Sequence, residues 1–241
     1  MEKIRPMNRQ LTDQDLAFDA IHQDWDSFIS DYDTNRRIEV LLRDFLEGFD
    51  WKNKAVLEVG TGLGRFTGVI LGFNPGSFTT VDIAPALIKK VMDKYPGIHA
   101  RTADLMRLSQ QLAQKYDLII CSEVIEHTPA PHEAFLQLVN CLEPNGIVIL
   151  STPNRRWRWL LVLAKAFRLR TRYKGYENWT RPADLVGWCH EISLRIIKKE
   201  GVHLVPWQFM VKGGLRRVDI NVRNISFGLS LNLVIKAQRV K

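Results

Sequence analysis

Cysteine, long apolar runs and repeated segments are scarce in this chain of 241 residues. Its three cysteines, Cys121, Cys141 and Cys189, have no paired spacing. They argue against a disulfide framework or a zinc site, and they are typical of a reducing compartment. No apolar run approaches the roughly 20 residues that span a bilayer, and the polar amino terminus lacks the apolar core of a secretion signal. We therefore expect a cytoplasmic protein.

The basic charge of the chain is confined to one segment. The whole sequence carries a net charge of +8, and residues 155–174 contain eight basic residues and no acid. The remainder therefore sums to zero. The hydrophobic content of 46% is enough for the core of one α/β domain.

Residues 56–64, which read VLEVGTGLG, predict a buried strand that leads into a glycine-rich loop. Glycines at positions 60, 62 and 64 allow a sharp turn and a close approach of the backbone to a ligand. A second predicted strand ends in Asp82, 22 residues after Gly60, where a carboxylate can bind both hydroxyls of a ribose. A third strand runs into the acidic segment 122–127. Three polar strand ends at one edge of a parallel sheet predict a ligand site there.

Three interpretations compete for this loop: a dinucleotide-binding site, a site for another nucleoside-containing ligand, and a tight turn without a ligand. The dinucleotide fingerprint requires a small residue where this chain has Arg65, because the following helix must pack closely on the strand. Arg65 therefore counts against a nicotinamide cofactor. A tight turn without a ligand would leave the three acidic strand ends unexplained.

The alternation of apolar runs predicts an α/β fold, with a Rossmann-like, doubly wound and mostly parallel seven-stranded sheet. Strands are predicted at 55–59, 77–82, 98–101, 117–121 and 146–151, and helices at 64–72, 84–94, 131–142 and 181–189. A further strand is expected near 192–198 or 202–205. The alternating Leu229, Leu231, Leu233 and Ile235 predict a half-buried edge strand.

Residues 1–50 are predicted to form a helical arm, and residues 51–241 the main domain with an insert at 155–180. Two or three helices are expected over 12–50, with Asp13 and Asp33 as caps. Their apolar face comprises Ile38, Leu41, Leu42, Phe45 and Leu46. We expect the arm to pack over the mouth of the ligand site.

The acid before the glycine loop, Asp82 and Asp104 together resemble the motifs of class I S-adenosylmethionine (SAM)-dependent methyltransferases. The blocks at 121–127, 144–155 and 181–188 resemble the ubiquinone-biosynthesis O-methyltransferase family, over about residues 36–205. The first 35 residues and those after Pro206 depart from that pattern. They should help to shape the acceptor pocket, so the resemblance does not carry the substrate with it.

The resemblance implies a role for each matching residue. Glu58 would bind the amino group of the methionine part of SAM, often through water, and Asp82 the ribose hydroxyls. Asp104 would meet the adenine amino group. Arg37, or failing that Arg36, would contact the cofactor. The predicted cofactor-binding set is Arg37, Glu58, Gly60, Gly62, Gly64, Asp82, Asp104 and Ser122, with Ile83 and Leu105 on either side of the adenine ring.

His127 and Glu126 are the predicted catalytic residues. An imidazole titrates near neutrality, so His127 could accept the proton of a hydroxyl acceptor; alternatively it caps the next helix or only lines the pocket. Glu123, Glu126 and His127 form an E-x-x-E-H pattern that could hold a divalent metal, although the same pattern occurs in methyltransferases without one. The other histidines are interpreted as structural, with His190 a second candidate for the acceptor pocket.

The insert has a predicted apolar face beside a basic stripe. The apolar face comprises Trp157, Leu160, Leu163 and Phe167, and the stripe comprises Arg158, Lys165 and Arg168. This pattern suits a helix in a membrane interface, and the resembled family has a lipid-contacting segment at this place. A lid helix and an RNA-binding patch are the alternatives.

The sequence therefore predicts a SAM-dependent O-methyltransferase for a small or lipid-linked, quinone-precursor-like acceptor. It would contact the inner face of a membrane peripherally through residues 155–172. The alternatives are a methyltransferase for a soluble sugar or natural-product hydroxyl, and a SAM-binding protein without turnover. Nucleic acid is not expected as a partner, because residues 122–125 lack the Asn/Asp-Pro-Pro-aromatic block typical of base N-methylation.

Overall fold

The computed structural model describes residues 31–159, 176–204 and 227–240. Its helices are α1 (Asp31–Ile38), α2 (Arg65–Gly72), α3 (Pro85–Lys94), α4 (Leu108–Gln111), α5 (Pro131–Asn140) and α6 (Pro182–Glu191). Its strands are β1 (Ala55–Val59), β2 (Ser77–Asp82), β3 (His99–Thr102), β4 (Tyr116–Ser122), β5 (Leu142–Pro153), β6 (Leu194–Val202) and β7 (Asn232–Arg239). Short 3-10 turns follow β3, β4 and β5, at Leu105–Arg107, Ile125–His127 and Arg155–Trp157.

The seven strands form one sheet in the order β3-β2-β1-β4-β5-β7-β6. The strands β3, β2, β1, β4 and β5 are all parallel to one another. β7 is antiparallel to both β5 and β6. In the register, Val59 at the end of β1 pairs with Val81 and with Cys121. The carboxyl ends of the central strands therefore meet at one edge. The predicted Rossmann-like, mostly parallel sheet is confirmed.

Both faces of the central strands are covered, which explains their continuous apolar runs. Successive side chains of a strand point to opposite faces. Accordingly, Leu57 and Ile119 pack in one core cluster, and Val56 and Ile120 pack in another. The predicted apolar face of the arm belongs to the second cluster, where Ile38, Leu41, Leu42, Phe45 and Leu46 are all buried.

The described part of the arm is one helix whose second half is π-helical, over Glu39–Asp44. Asp33 was expected to cap a helix, and that expectation is wrong. It lies inside α1, where its carboxylate accepts from the Arg37 guanidinium four residues later, at 2.8 Å and 3.2 Å. Asp13 and the earlier helices of the prediction lie outside the described residues.

The prediction of a half-buried edge strand for the tail is also wrong. β7 lies between β5 and β6, and Leu233, Val234 and Ile235 are fully buried because both faces of this strand are covered. Leu229 precedes the strand and is 59% exposed. The edge strand on this side of the sheet is β6.

β5 begins earlier than expected, at Leu142. The start of the strand is irregular: Asn145 has a φ of 63°, and the pairing with β4 shifts register. Among the described helices, none is both long and apolar enough to cross a bilayer.

Candidate active site

A cavity of about 430 Å³ opens at the carboxyl ends of β1, β2 and β4. Helix α1 and the amino end of β7 complete its wall. Most of the predicted site residues line it: Arg37, Glu58, Gly60, Gly62, Asp82, Ile83, Asp104, Leu105, Ser122, Glu123, Glu126 and His127. Gly64 does not; it precedes the first residue of α2 in the left-handed conformation, with a φ of 73°.

The glycine loop is tied by its backbone to the end of β2. The amides of Gly60 and Thr61 donate to the Val81 carbonyl at 2.8 and 3.2 Å, and the amide of Gly62 donates to Asp82 Oδ2 at 3.0 Å. Gly60 has a φ of 85°, and a Cβ placed there would lie 2.3 Å from Val124 Cγ2. The loop therefore requires glycine at this position.

Glu58 is a buried carboxyl group that is only half satisfied. Its Oε2 accepts from Thr67 and Thr80 hydroxyls at 2.6 and 2.8 Å, whereas Oε1 has no hydrogen-bond partner among the described residues. Burial raises its pKa to about 7, against the lowering effect of the two hydroxyls. A cationic group in the cavity would supply both a hydrogen bond and a charge. The residue therefore fits the ammonium group of SAM.

The carboxylates of Asp82 and Asp104 are oriented by backbone amides. Asp82 Oδ1 accepts from the amide of Ala84 at 3.0 Å, and Asp104 Oδ1 accepts from the amide of Met106 at 3.0 Å. Each carboxylate oxygen can accept two hydrogen bonds. Asp82 is thus held at the edge of the cavity, where its carboxylate faces the space for a ribose.

Opposite this loop, a buried network surrounds Arg37. Its guanidinium donates to Asp33 and, at 2.9 Å, to Ser122 Oγ. Asp33 also contacts the fully buried His203, with 2.9 Å between Oδ1 and Nε2. Burial alone would raise the pKa of Asp33, but the charge of Arg37 and the His203 contact hold it at about 2. Asp33 is therefore ionised at neutral pH and fixes Arg37 in the cavity wall.

Two carboxyl groups lie near each other at this edge of the sheet, the half-buried Glu123 and the buried Glu126. Glu123 has a φ of 57°, and its oxygens accept from Ser151 Oγ and Asn232 Nδ2, both at 2.8 Å. Burial raises the pKa of Glu123, with Arg37 opposing the shift. Burial, followed by repulsion from Glu123, raises the pKa of Glu126 well above its usual range. Burial and mutual repulsion therefore favour protonation of this pair.

His127 is held in one protonation pattern. Its Nδ1 lies 3.0 Å from the Tyr176 carbonyl oxygen. A carbonyl only accepts, so the proton sits on Nδ1, and Nε2 is the proton-accepting nitrogen of the neutral ring. Nε2 lies 3.9 Å from Glu126 Oε1. His127 does not cap α5, whose preceding residue is Ala130 and has no side-chain cap.

The predicted metal ligands are not arranged as a metal site. Within residues 31–159, 176–204 and 227–240, no group of three or more histidine, cysteine or acidic side chains could hold a metal ion. Glu123 accepts from Ser151 and Asn232, and Nδ1 of His127 is occupied by a backbone carbonyl.

His190, the second candidate for the acceptor pocket, is exposed on α6 and outside the cavity wall, so that expectation is wrong. Of the histidines interpreted as structural, His132 stacks on Trp188, and His203 supports Asp33 in the network around Arg37. His22 lies outside the described residues. Of the insert, Trp157 donates from Nε1 to the Leu229 carbonyl at 2.8 Å and stacks on the exposed Trp159. Leu160, Leu163, Lys165, Phe167 and Arg168 lie outside the described residues.

Three contributors to this site were missed by sequence reasoning: Asp33, Asn232 and the carbonyl of Tyr176. The four-residue spacing of Asp33 and Arg37 on a helix was a readable signal for an ion pair. Asn232 opens an antiparallel strand and pairs with Pro153 at the end of β5. A search of carboxyl ends alone overlooks such a residue.

This fold and site define a SAM-dependent methyltransferase. The chain belongs to the methyltransferase domain family, whose model matches residues 32–199.

Its relatives include the ubiquinone biosynthesis O-methyltransferase of Escherichia coli O127:H6. That protein is 26% identical over 90% of this chain and 94% of its own length. The protein of the same name from Haemophilus ducreyi is 30% identical over 64% of this chain and 70% of its own length.

Solved methyltransferases share the fold at low identity. The N-methyltransferase NodS from Bradyrhizobium japonicum WM9, in complex with S-adenosyl-L-homocysteine, aligns with a TM-score of 0.57 and 16% identity, over 91% of this chain and 98% of that one. A SAM-dependent methyltransferase from Mesorhizobium loti gives a TM-score of 0.62 and 16% identity, over 85% and 98%.

Proposed function

We propose that this methyltransferase transfers a methyl group to a hydroxyl of a small or lipid-linked, quinone-precursor-like acceptor. The observation that carries the proposal is His127 in the cavity wall with its proton held on Nδ1. Methylation of a hydroxyl requires a group that removes the hydroxyl proton, and Nε2 is suited to that role. The relatives named as ubiquinone biosynthesis O-methyltransferases support the acceptor class, since the E. coli protein aligns along nearly all of both chains.

On the β1–β3 side of the cavity, the chain would hold the methyl donor. Glu58 would bind the ammonium group, and Asp82 the ribose hydroxyls. Ile83 and Leu105 would contact the adenine ring beside Asp104. Bound SAM supplies an electrophilic methyl group on a sulfonium, so the protein needs no covalent intermediate.

On the other side, His127 would act on the acceptor. Its Nε2 takes the hydroxyl proton while the acceptor oxygen forms a bond to the methyl carbon. The bond from that carbon to sulfur breaks, and its electron pair stays on sulfur. Burial of Glu126 beside the half-buried Glu123 favours a site with little water, in which alignment of oxygen and methyl group contributes much of the rate.

The test is turnover with an alkyl-substituted dihydroxybenzene as the acceptor, compared between the wild type and His127→Asn. The asparagine amide can still donate to the Tyr176 carbonyl but is no base. We expect kcat to fall at least about 100-fold, and the ascending limb of the pH–rate profile to disappear, with the Kd for SAM unchanged. Activity within threefold of wild type would remove His127 from the mechanism. Methylation of an amine probe but of no hydroxyl would overturn the proposed acceptor class.

We also propose that the segment after β5 contacts a membrane surface peripherally. Trp159 and Leu229 are exposed, and Trp159 directly follows the basic residues Arg155, Arg156 and Arg158. Leu229 is joined to the same segment through the hydrogen bond from Trp157 to its carbonyl. Co-sedimentation with neutral and anionic vesicles tests this, with Trp157, Leu160 and Phe167 changed together to serine. Binding to anionic vesicles that the triple variant loses would support the proposal. Absence of binding by the wild type would overturn it.

A further inference from the structure

Residues 176–180, which we call the strap, bridge the ends of β4 and β5. The Asn178 amide donates to the Glu126 carbonyl at 2.8 Å. At the other end of the strap, the Thr180 amide donates to the Pro153 carbonyl at 3.2 Å, and the Arg155 amide donates to the Thr180 carbonyl at 2.9 Å. Glu177 and Trp179, the neighbours of Asn178 in the chain, line the cavity. The strap is therefore part of the active-site wall.

The side chain of Asn178 adds a second attachment on the other side of His127. Its Nδ2 donates to the Thr128 carbonyl at 2.8 Å and approaches the Pro129 carbonyl at 3.5 Å. The backbone and side chain of one residue thus bind the carbonyls of residues 126 and 128. This arrangement fixes the strap against the turn that carries His127.

The position of the strap determines what His127 meets. Tyr176 lies two residues before Asn178, and its carbonyl is the group 3.0 Å from His127 Nδ1. The tautomer of a histidine is set by the hydrogen-bond partners of its two ring nitrogens: a carbonyl beside Nδ1 favours the proton on Nδ1. A shift of this carbonyl would allow the proton to move to Nε2, and that tautomer cannot accept a proton from a hydroxyl.

We propose that Asn178 is a positioning residue for methyl transfer. It holds the Tyr176 carbonyl where His127 keeps its proton on Nδ1 and offers Nε2 as the base. This inference rests on the proposed role of His127. Since the Asn178 backbone attachment survives a side-chain change, we expect a partial loss: kcat about tenfold lower in Asn178→Ala, well short of the loss in His127→Asn.

The test measures the tautomer without any acceptor. Long-range ¹H–¹⁵N NMR of the labelled full chain reports which nitrogen of His127 is protonated, and the spectrum of His127→Asn assigns the signal. We expect the Nδ1–H form in the wild type and a mixture in Asn178→Ala. Asn178→Asp keeps the size of the side chain but lacks the amide donor, so it should show the same tautomer mixture as Asn178→Ala. Asn140→Ala, on the exposed end of α5, is the matched control and should change neither readout.

Kinetics with the alkyl dihydroxybenzene probe complete the test. The double variant Asn178→Ala/His127→Asn should be no slower than His127→Asn, because both changes act through one group. A Kd for SAM within twofold of wild type shows that the variants are folded.

A pure Nδ1–H form in Asn178→Ala, an Nε2–H form in the wild type, or additive losses in the double variant would each overturn the inference. The expected tautomer shift in a protein that methylates no hydroxyl probe would overturn the proposed reaction, and the catalytic part of this inference with it.

Discussion

Backbone groups hold the β1–β3 side of the cavity, whereas side chains hold the β4–β7 side. At the glycine loop and the end of β2, backbone amides donate to the Val81 carbonyl and to the Asp82 carboxylate, within a segment of about 50 residues from Glu58 to Leu105. On the other side, Arg37 reaches Ser122 across 85 residues of sequence, Asn232 reaches Glu123 across 109, and His203 reaches Asp33 across 170. One side is a local motif, and the other is a tertiary network.

This difference corresponds to a difference in chemistry. A methyl donor common to a whole class can be held by a local backbone motif. Hydroxyl acceptors differ from one methyltransferase to another. A pocket assembled from distant segments suits that variety, because each segment can change without the others. Substitutions on the two sides should therefore have separable effects, on cofactor affinity on one side and on stability or turnover on the other.

The largest effect is expected from Gly60→Ala, which breaks the backbone-built side. The new Cβ would lie 2.3 Å from Val124 Cγ2, at a residue with a φ of 85°. Both the clash and the strained φ oppose the loop, so we expect SAM affinity to fall at least about 100-fold and the free energy of unfolding to fall by about 2–4 kcal/mol. Isothermal titration with SAM and urea unfolding measure the two quantities.

Gly72→Ala is the matched control for this change. Gly72 ends α2, and a Cβ there meets no atom within 4 Å. Its stability should be unchanged or slightly higher, and its SAM affinity equal to wild type. If Gly60→Ala binds SAM as tightly as Gly72→Ala does, the close fit of the loop is not needed for the cofactor.

The next largest effect is expected from Asp33→Asn, which breaks the side-chain network. The pKa of Asp33 is about 2 in the folded protein, against an ordinary value of 3.8. A lowered folded pKa means stabilisation that is present above about pH 3.8 and lost as pH falls through about 2. We expect the variant to lose about 2 kcal/mol of unfolding free energy at pH 7, and the difference to shrink towards pH 2.

The exposed pair of Lys89 and Asp93 provides the control for this prediction. Asp93→Asn removes the same charge from a pair at 2.6 Å that is largely exposed. Exposed pairs contribute little, so this variant should lose less than about 0.5 kcal/mol. Equal losses in the two variants would show that the network around Arg37 does not stabilise the fold.

What could be read from the sequence follows the same division. The bounds of β1 and β2 were predicted to the residue, and α2 within one, because each is a local apolar run that ends at a glycine loop or an acid. The residues Glu58, Asp82 and Asp104 reach the cavity for the same local reason. The position of β7 in the sheet was predicted wrongly, because its neighbours depend on the order of the strands. A buried apolar run in the sequence does not indicate that order. The links from Asp33 to His203 and from Glu123 to Asn232 depend on that order too.

A gain in stability, not a loss, is expected from Glu58→Gln, which changes the charge on the backbone-built side and leaves its shape. The folded pKa of Glu58 is raised from 4.5 to about 7. Without SAM, this group therefore destabilises the wild type as pH rises from about 4.5 to 7, and by a constant amount above. The glutamine variant should be more stable at pH 8, by up to about 3 kcal/mol, and the gap should close towards pH 4.5.

SAM binding should respond in the opposite sense, because only the carboxylate attracts an ammonium group. We expect affinity about tenfold weaker in Glu58→Gln at pH 8. Wild-type affinity should fall as pH drops below about 7, while that of the variant stays flat in that window. Glu200→Gln, which alters a fully buried carboxyl group outside the cavity wall, should leave SAM affinity unchanged. If the pH dependence of SAM affinity is the same in the wild type and in Glu58→Gln, the ammonium group is bound elsewhere, and the one unpartnered oxygen of Glu58 serves no cofactor.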